Sequence, residues 1–367
     1  MAVAAQSRFE LAPSLSVAQV WDDNLFSSPE EPVADAITRV SPGLRASLRS
    51  PRLDASLAYS HEGEIFTEES SLSTASARRA AEAALRYSGR RGLLLESVQA
   101  YRTTRTPGEL VPTTGLDIGR RPATQLSSRE SLSVLLGTRT RATVRHDFVR
   151  DTIEGGPAGQ THTAALTLER RRSERTTVSL GYTLRRFGSG GGWTTSHVVL
   201  AGWSHALGPR TWIRLAAGPR VTVGGREPEP EAELSLRRRF RRGEVTAAYV
   251  WTQARILGQP GVGFTESATL DLAGDVSRDL RISVSPGYFR NRVPQADFTV
   301  GRVATDVTWS IGRSVSIVGS HLVAATRGSL RGDLLHNVFS VRFRVASPPP
   351  RAASGGASRE GWLGKEP

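Results

Sequence analysis

Apolar and polar residues alternate with a period of two along nearly the whole of this 367-residue chain, and no other feature constrains its fold as tightly. Leu53, Ala55, Leu57 and Tyr59 interleave with Asp54, Ser56, Ala58 and Ser60, and Ala142, Val144, His146 and Phe148 with Arg141, Thr143, Arg145 and Asp147. Val178, Leu180, Tyr182 and Leu184, and later Asn337, Phe339, Val341, Phe343 and Val345, repeat the pattern. Successive side chains of a strand point to opposite faces, whereas a helix would scatter each set round its surface. Each segment therefore reads as a strand with one apolar and one polar face. No apolar run approaches the roughly 18 residues that a membrane helix needs, which excludes a helical membrane protein. The mean hydropathy of −0.28 fits a barrel, which shows lipid only alternate residues.

The connections between segments set the strand count. Short turns fall near Ser50, Arg90, Thr138, Ser173, Pro209, Arg242, Ser277 and Arg313, and from Thr138 onward they recur every 33 to 36 residues. Between them lie polar or Gly/Pro-rich stretches at 22–33, 67–74, 103–126, 151–160, 188–192, 222–230, 254–263, 290–297 and 324–333. Eight turns and nine loops give eighteen strands, with sixteen the nearest alternative. The expected fold is all-β: one transmembrane antiparallel β-barrel over 7–345, with short periplasmic turns, longer extracellular loops and a place in the outer membrane of a Gram-negative bacterium. Residues 1–6 read as a signal-peptide remnant or a disordered start, and 346–367, rich in Pro, Gly and Ser, as a disordered tail. Trp21, Tyr87, Tyr101, Phe187, Trp193, Trp203, Trp212, Trp251 and Trp309 stand near strand ends, where interfacial girdles place aromatic rings. The repeated phrase Ser41-Pro42-Gly43 and Ser285-Pro286-Gly287 suggests bulges or strand ends near a rim.

Residues 15–66 carry a family resemblance. Leu15-Ser16-Val17 leads into Val20-Trp21-Asp22-Asp23-Asn24-Leu25-Phe26, then Val40-Ser41-Pro42-Gly43-Leu44 and Ala58-Tyr59-Ser60-His61-Glu62-Gly63-Glu64. This stretch resembles the outer-membrane β-barrels associated with exopolysaccharide biosynthesis, including the porin-like barrels of polysaccharide export. The resemblance implies a non-enzymatic pore through which a polysaccharide leaves the cell, working with a periplasmic exporter or co-polymerase.

The formal net charge of +13 raises the question of partners. Arg45, Arg49, Arg145, Arg185, Arg214, Arg220, Arg281, Arg342 and Arg344 all fall on the polar faces of their strands. An arginine in mid-bilayer costs roughly 2–4 kcal/mol on the lipid face, so a barrel turns these residues to its lumen. There they form a cationic lining for anionic solutes or an acidic polysaccharide, or they pair with lumen acids such as Glu82, Glu169, Glu233, Asp271 and Asp306. Each short turn also carries or adjoins arginine, suited to anionic headgroups of the outer-membrane lipid, to an acidic partner, or simply to solubility. A nucleic-acid binder would gather its cations on one patch, so that class is set aside.

Catalytic signals are few. The chain has no cysteine, and its seven histidines lack metal-ligand spacing, so no cofactor or metal is expected. His146 and Asp147 are neighbours on a strand and point to opposite faces. Gly188-Ser189-Gly190-Gly191-Gly192 lacks the Lys-Ser/Thr of a phosphate loop, and Asp22-Asp23-Asn24 reads as a tight turn. The expectation is a monomer. A structural or adhesive barrel with a plugged lumen, its function carried by loops such as 103–126, is the alternative.

Overall fold

The computed structural model describes residues 7–347 except 117, 191, 226, 294–295 and 329–331, so the segments 1–6 and 348–367 lie outside the described residues. Among the described residues there are eighteen strands: β1 (Arg8–Asp22), β2 (Asp35–Arg49), β3 (Leu53–Phe66), β4 (Thr74–Ser88), β5 (Leu94–Thr104), β6 (Ala123–Leu135), β7 (Thr140–Ile153), β8 (Gly159–Arg171), β9 (Thr176–Ser189), β10 (Gly192–Gly208), β11 (Thr211–Thr222), β12 (Glu229–Phe240), β13 (Gly243–Ala254), β14 (Gly263–Asp275), β15 (Leu280–Val293), β16 (Ala296–Ile311), β17 (Val315–Gly328) and β18 (Leu334–Ala346). Each pairs antiparallel with its sequence neighbours, and β1 pairs with both β2 and β18, so the sheet closes without an edge. Closure satisfies backbone groups that would otherwise face hydrocarbon. With strands about 4.8 Å apart and tilted by about 40°, eighteen strands close on a circle roughly 36 Å across.

Partners across a rung share a face, and the register carries the two faces round the ring. One face holds exposed apolar side chains, among them Leu15, Val17, Leu57, Val144, Leu166, Leu180, Leu215, Val303 and Phe343. The other holds Ser, Thr, Arg, Glu and Asp, and its rungs include Arg45 opposite Ala58, Arg145 opposite Ser131, and Arg342 opposite Val318. An apolar exterior of exposed Leu and Val belongs against lipid, so the polar face is the lumen.

Several connections and faces differ from expectation. All eight short turns fall where the sequence places them, but two of the nine outer connections are not loops. Ser189 pairs with Gly192 and Val293 with Ala296, so strand runs through 188–189 and 192, and through 290–293 and 296–297. Gly190, at φ +59°, takes the left-handed backbone conformation between Ser189 and Gly192. The Ser-Pro-Gly segments are neither bulges nor strand ends. Pro42 and Pro286 sit inside β2 and β15 on the lipid-facing side, opposite Leu15 and Val303, and the register does not shift. The missing proline N–H interrupts the ladder on one side only, where pairing passes from Val40–Gly63 to Gly43–Ser60 in unbroken register. Two of the girdle aromatics face inward: Phe187 shares a rung with Thr161, and Trp212 shares one with Arg237. The last strand also runs one residue past 345, to Ala346.

Candidate functional site

The nine arginines singled out by sequence all lie on the inner face, but they differ in height and in partnership. Arg185 and Arg220 stand toward the outer rim and share Glu231, which has no exposed side-chain surface. Arg145 pairs with Asp147 at 2.8 Å and Arg281 with Asp275 at 2.8 Å. Arg45, Arg49, Arg214, Arg342 and Arg344 have no acidic partner among the described residues, and none lies more than four residues from the periplasmic end of its strand. Glu82 among the expected acids meets Arg102 at 3.9 Å, while Asp271 and Asp306 accept from Ser285 and Ser320. Four of these five arginines lie on β2 and β18, either side of β1, and Arg214 lies on β11, nine strands round from β2 and so across the lumen. A concavity of about 680 Å³ on the inner wall is lined by Arg45, Arg49, Arg102, Arg344, Glu10 and Glu82, among others. The periplasmic half of the lumen therefore holds five arginines with no ion-pair partner among the described residues, beside acids such as Glu10 and Glu82.

Two loops enter the outer half. Loop 105–122, which joins β5 to β6, turns into the barrel through two short 3-10 segments, Pro107–Leu110 and Pro112–Thr114. Asn291 on β15 donates from Nδ2 to the Thr114 carbonyl at 2.9 Å, and a Cβ at Gly115 would press into Phe289. β15 is nine strands from β6, so this loop reaches the opposite wall. Its 18 residues could extend about 60 Å, enough to cross the lumen and return. Along the way Glu109 pairs with Arg78, Arg120 pairs with the buried Glu64, and Gly119 lies against the backbone of Phe26 in the first outer loop.

Loop 255–262, between β13 and β14, enters from the other side. Its Arg255 pairs with Asp151 on β7, and both side chains are buried. Ile256 packs with Phe289, Phe298, Val300 and Leu116, and Leu257 with Leu110, Ala123 and Ile153. A third apolar cluster, Val20, Leu25, Ile37 and Phe66, closes the mouth beside the β1–β2 connection. Apolar side chains on the inner face of a barrel have no lipid to meet, and here they meet the inward loops instead. Two loops thus cross the outer half of the lumen, seated on buried ion pairs and apolar contacts.

Asp22-Asp23-Asn24 forms the turn that the sequence suggests: Asn24 N donates to Asp22 Oδ1 at 3.0 Å, and Ser28 N to Asn24 Oδ1 at 2.9 Å. The same residues clasp the closing seam. His336 on β18 meets Asp22 at 2.7 Å, and Asn337 donates through N and Nδ2 to the Asp23 carboxylate. Asp22, Asp23 and His336 bring ligand atoms within 4.8 Å of one another, but Asp22 Oδ1 and both Asp23 oxygens already serve the turn and the seam. His146 points outward and Asp147 inward, as adjacent strand residues must.

Sequence reasoning missed much of the lining. Arg302, on the inner face of β16 opposite Gly287, has no acidic partner among the described residues. Arg39, Arg78, Glu62 and Glu64 form an inner network on β2–β4. Parity along β16 and β3 would have found Arg302, Glu62 and Glu64; that Arg120 reaches Glu64 from a loop has no signal in local pattern.

Comparison with solved structures finds the same architecture. The chain is similar to OccK9 (OpdG) of Pseudomonas aeruginosa, at 11% identity and a TM-score of 0.51 over 92% of this chain and 99% of that one. It is similar to OccAB4 of Acinetobacter baumannii, at 9% identity and a TM-score of 0.50 over 93% and 98%. The outer membrane protein opdK of Pseudomonas aeruginosa aligns at 11% identity and a TM-score of 0.49 over 92% and 99%. The chain is an outer-membrane β-barrel. At these identities the likeness is one of fold, that of the porin-type barrels. No protein-family model matches the chain, and no curated protein sequence does.

Proposed function

We propose that this barrel is a gated pore for anionic cargo, and that the cargo is an acidic polysaccharide leaving the cell. The observation that carries the reading is the group of five unpaired arginines gathered in the periplasmic half of the lumen. Charges that line a narrowing, low-dielectric passage raise the local concentration of the opposite charge, and rings of arginine select anions. The polymer rests on the resemblance of residues 15–66, and it requires the inward loops to leave the outer mouth. A periplasmic exporter component completes the path, docking on turns that carry Arg52, Arg90, Arg139, Arg172, Arg210, Arg242, Arg278 and Arg313.

The test is planar-bilayer recording of the refolded barrel in a salt gradient. The wild type is expected to prefer anions, and the triple variant Arg45→Glu, Arg214→Glu and Arg342→Glu to lose or reverse that preference. Oligomers of a uronic acid added on the periplasmic side should block the current where neutral dextran of equal length does not. Selectivity indifferent to the three substitutions defeats the anion reading. Equal block by both glycans defeats the acidic polymer.

A second reading is favoured by the two loops that cross the outer half of the lumen: a barrel with a permanently plugged lumen and a structural or adhesive role. It predicts a heat-modifiable protein that never conducts, including after the inward loop has been loosened.

A further inference from the structure

The outer surface carries a polar stripe where lipid should meet apolar side chains. Glu130 on β6 and His146 on β7 face each other across one rung, on the same face as the exposed Leu126, Leu132 and Val144. His146 Nδ1 lies 3.3 Å from Glu130 Oε2, and Gln99 of β5 donates to Glu130 Oε1 at 2.6 Å. The pair sits in mid-strand: Glu130 is five residues from Leu135 and seven from Ala123, and His146 is six residues from Thr140 and seven from Ile153. Exposed Leu95, Leu132 and Leu166 lie below the stripe, and Tyr101 and Leu126 above it, so it crosses the apolar band itself. Its upper end continues through His162, whose ring centroid is 6.0 Å from that of His146, toward Trp193 with the Arg186 guanidinium 4.2 Å over its ring. Both members of the central pair remain substantially exposed, at 47% for His146 and 39% for Glu130.

A carboxylate facing hydrocarbon is unfavourable, and ionisable groups in a membrane are as a rule paired or covered by protein. The chemistry of the stripe says what covers it. Barrels insert in one orientation, so two copies that bury the same face are related by a two-fold axis along the membrane normal. That rotation keeps height and reverses direction round the barrel. With the axis between β6 and β7, it brings Glu130 of one copy onto His146 of the other, and the reverse. His146 has no hydrogen bond at Nε2 among the described residues, so as an imidazolium the ring has a second N–H to give to the other copy's carboxylate. The stripe is therefore self-complementary, with acid and base exchanged by the axis. Small outward residues around it, Ala83, Ser97, Ser128, Ala142 and Ala164, leave the surface flat enough for two walls to approach. A three-fold assembly would set this face against a different one and leave the acid and base without this exchange.

We propose, in place of the monomer expected from sequence, that the barrel forms a two-fold dimer in the membrane through β5–β8, locked by a reciprocal Glu130–His146 pairing. The proposal rests on the outer-membrane reading and is independent of what passes through the lumen.

The experiment uses single-cysteine variants of a chain that has no cysteine of its own. Ser128→Cys and Leu132→Cys, on either side of Glu130 on the outer face, are treated in native outer membranes with a short bis-maleimide. Thr305→Cys, outward on β16 across the barrel, is the control. Crosslinked dimer is expected from the β6 positions and not from β16, and the intact protein in mild detergent should have the mass of two chains. Glu130→His alone and His146→Glu alone should each give monomers that still shift on heating, which separates loss of contact from loss of fold. Mixing the two variants should restore dimer, because each then offers what the other lacks. A wild-type mass of one chain, equal crosslinking at Thr305→Cys, or no recovery on mixing overturns the proposal. Tightly bound lipopolysaccharide on a single chain would identify a lipid on the stripe and overturn it equally. Ion selectivity should be the same in dimeric and monomeric forms, so failure here is distinguishable from failure of the pore reading.

Discussion

Glu64 is the point at which the seal of the outer mouth can be loosened with least disturbance to the wall. Its side chain is 2% exposed, accepts from Arg39 Nε at 2.9 Å, and pairs with Arg120 of loop 105–122, whose guanidinium also lies 4.7 Å over the Phe66 ring. Glu64→Gln preserves size and removes the charge. Arg39 keeps a carboxylate within 3.8 Å, at Glu62, so the wall retains its own pairing. Arg120 keeps none, and its side chain is 7% exposed while the loop is docked. Breaking a buried pair costs about 3–5 kcal/mol, and the low end applies because a neutral amide still accepts a hydrogen bond. Released from the lumen, Arg120 returns to water, so the penalty falls on the shut state alone. A shift of about 3 kcal/mol multiplies the ratio of open to shut by roughly 150. Single-channel recording reads that ratio directly as the fraction of time spent conducting. Arg120→Gln should act through the same contact, and the double variant should add little to either single change. If Glu64→Gln migrates as a folded, heat-modifiable barrel and conducts no more often than the wild type, loop 105–122 is not the seal.

Two further outcomes follow from the same geometry. A cysteine pair at Thr114 and Asn291, where loop 105–122 touches the opposite wall, should hold the pore silent until a reductant is added, and conduction unaffected by oxidation would place the barrier elsewhere. Leu166→Arg, on the lipid side of β8, should destabilise the barrel by about 2–4 kcal/mol, whereas Thr167→Arg on the lumen side should be tolerated; equal effects on the temperature at which the gel band shifts would mean that the faces are wrongly assigned.

Nearly all of the wall was legible in sequence because a barrel strand is a local object. Two-residue alternation gives the face of each side chain, and turn residues give the ends, so the strand number and the inward placement of all nine arginines needed nothing distant. The errors came where one residue was weighed without its parity or its neighbours. Phe187 and Trp212 were grouped with the girdle as aromatics, although both stand on the polar face of their strands. Pro42 and Pro286 suggest bulges or strand ends in sequence, whereas a mid-strand proline disturbs only the ladder on its N–H side. The glycine run at 188–192 reads as a loop in sequence, whereas Ser189 pairs with Gly192 and Gly190 takes the left-handed backbone conformation between them. The seal was not legible at all. Its contacts join Arg120 to Glu64, Arg255 to Asp151 and Thr114 to Asn291, residues 56, 104 and 177 positions apart. Those pairings exist only once the ring has closed and set its walls opposite each other.

The two halves of the lumen lie in a fixed order, with the obstruction outermost and the unpaired guanidinium groups behind it. On the gated-pore proposal, the inner chamber exchanges with the periplasm while the obstruction holds, and takes up the anions that compartment supplies. Opening then discharges a chamber already loaded from within. Like the lower gate of a canal lock standing open, this arrangement settles which compartment's solutes wait behind the barrier, while the direction of net flow in a passive barrel follows the concentration difference alone.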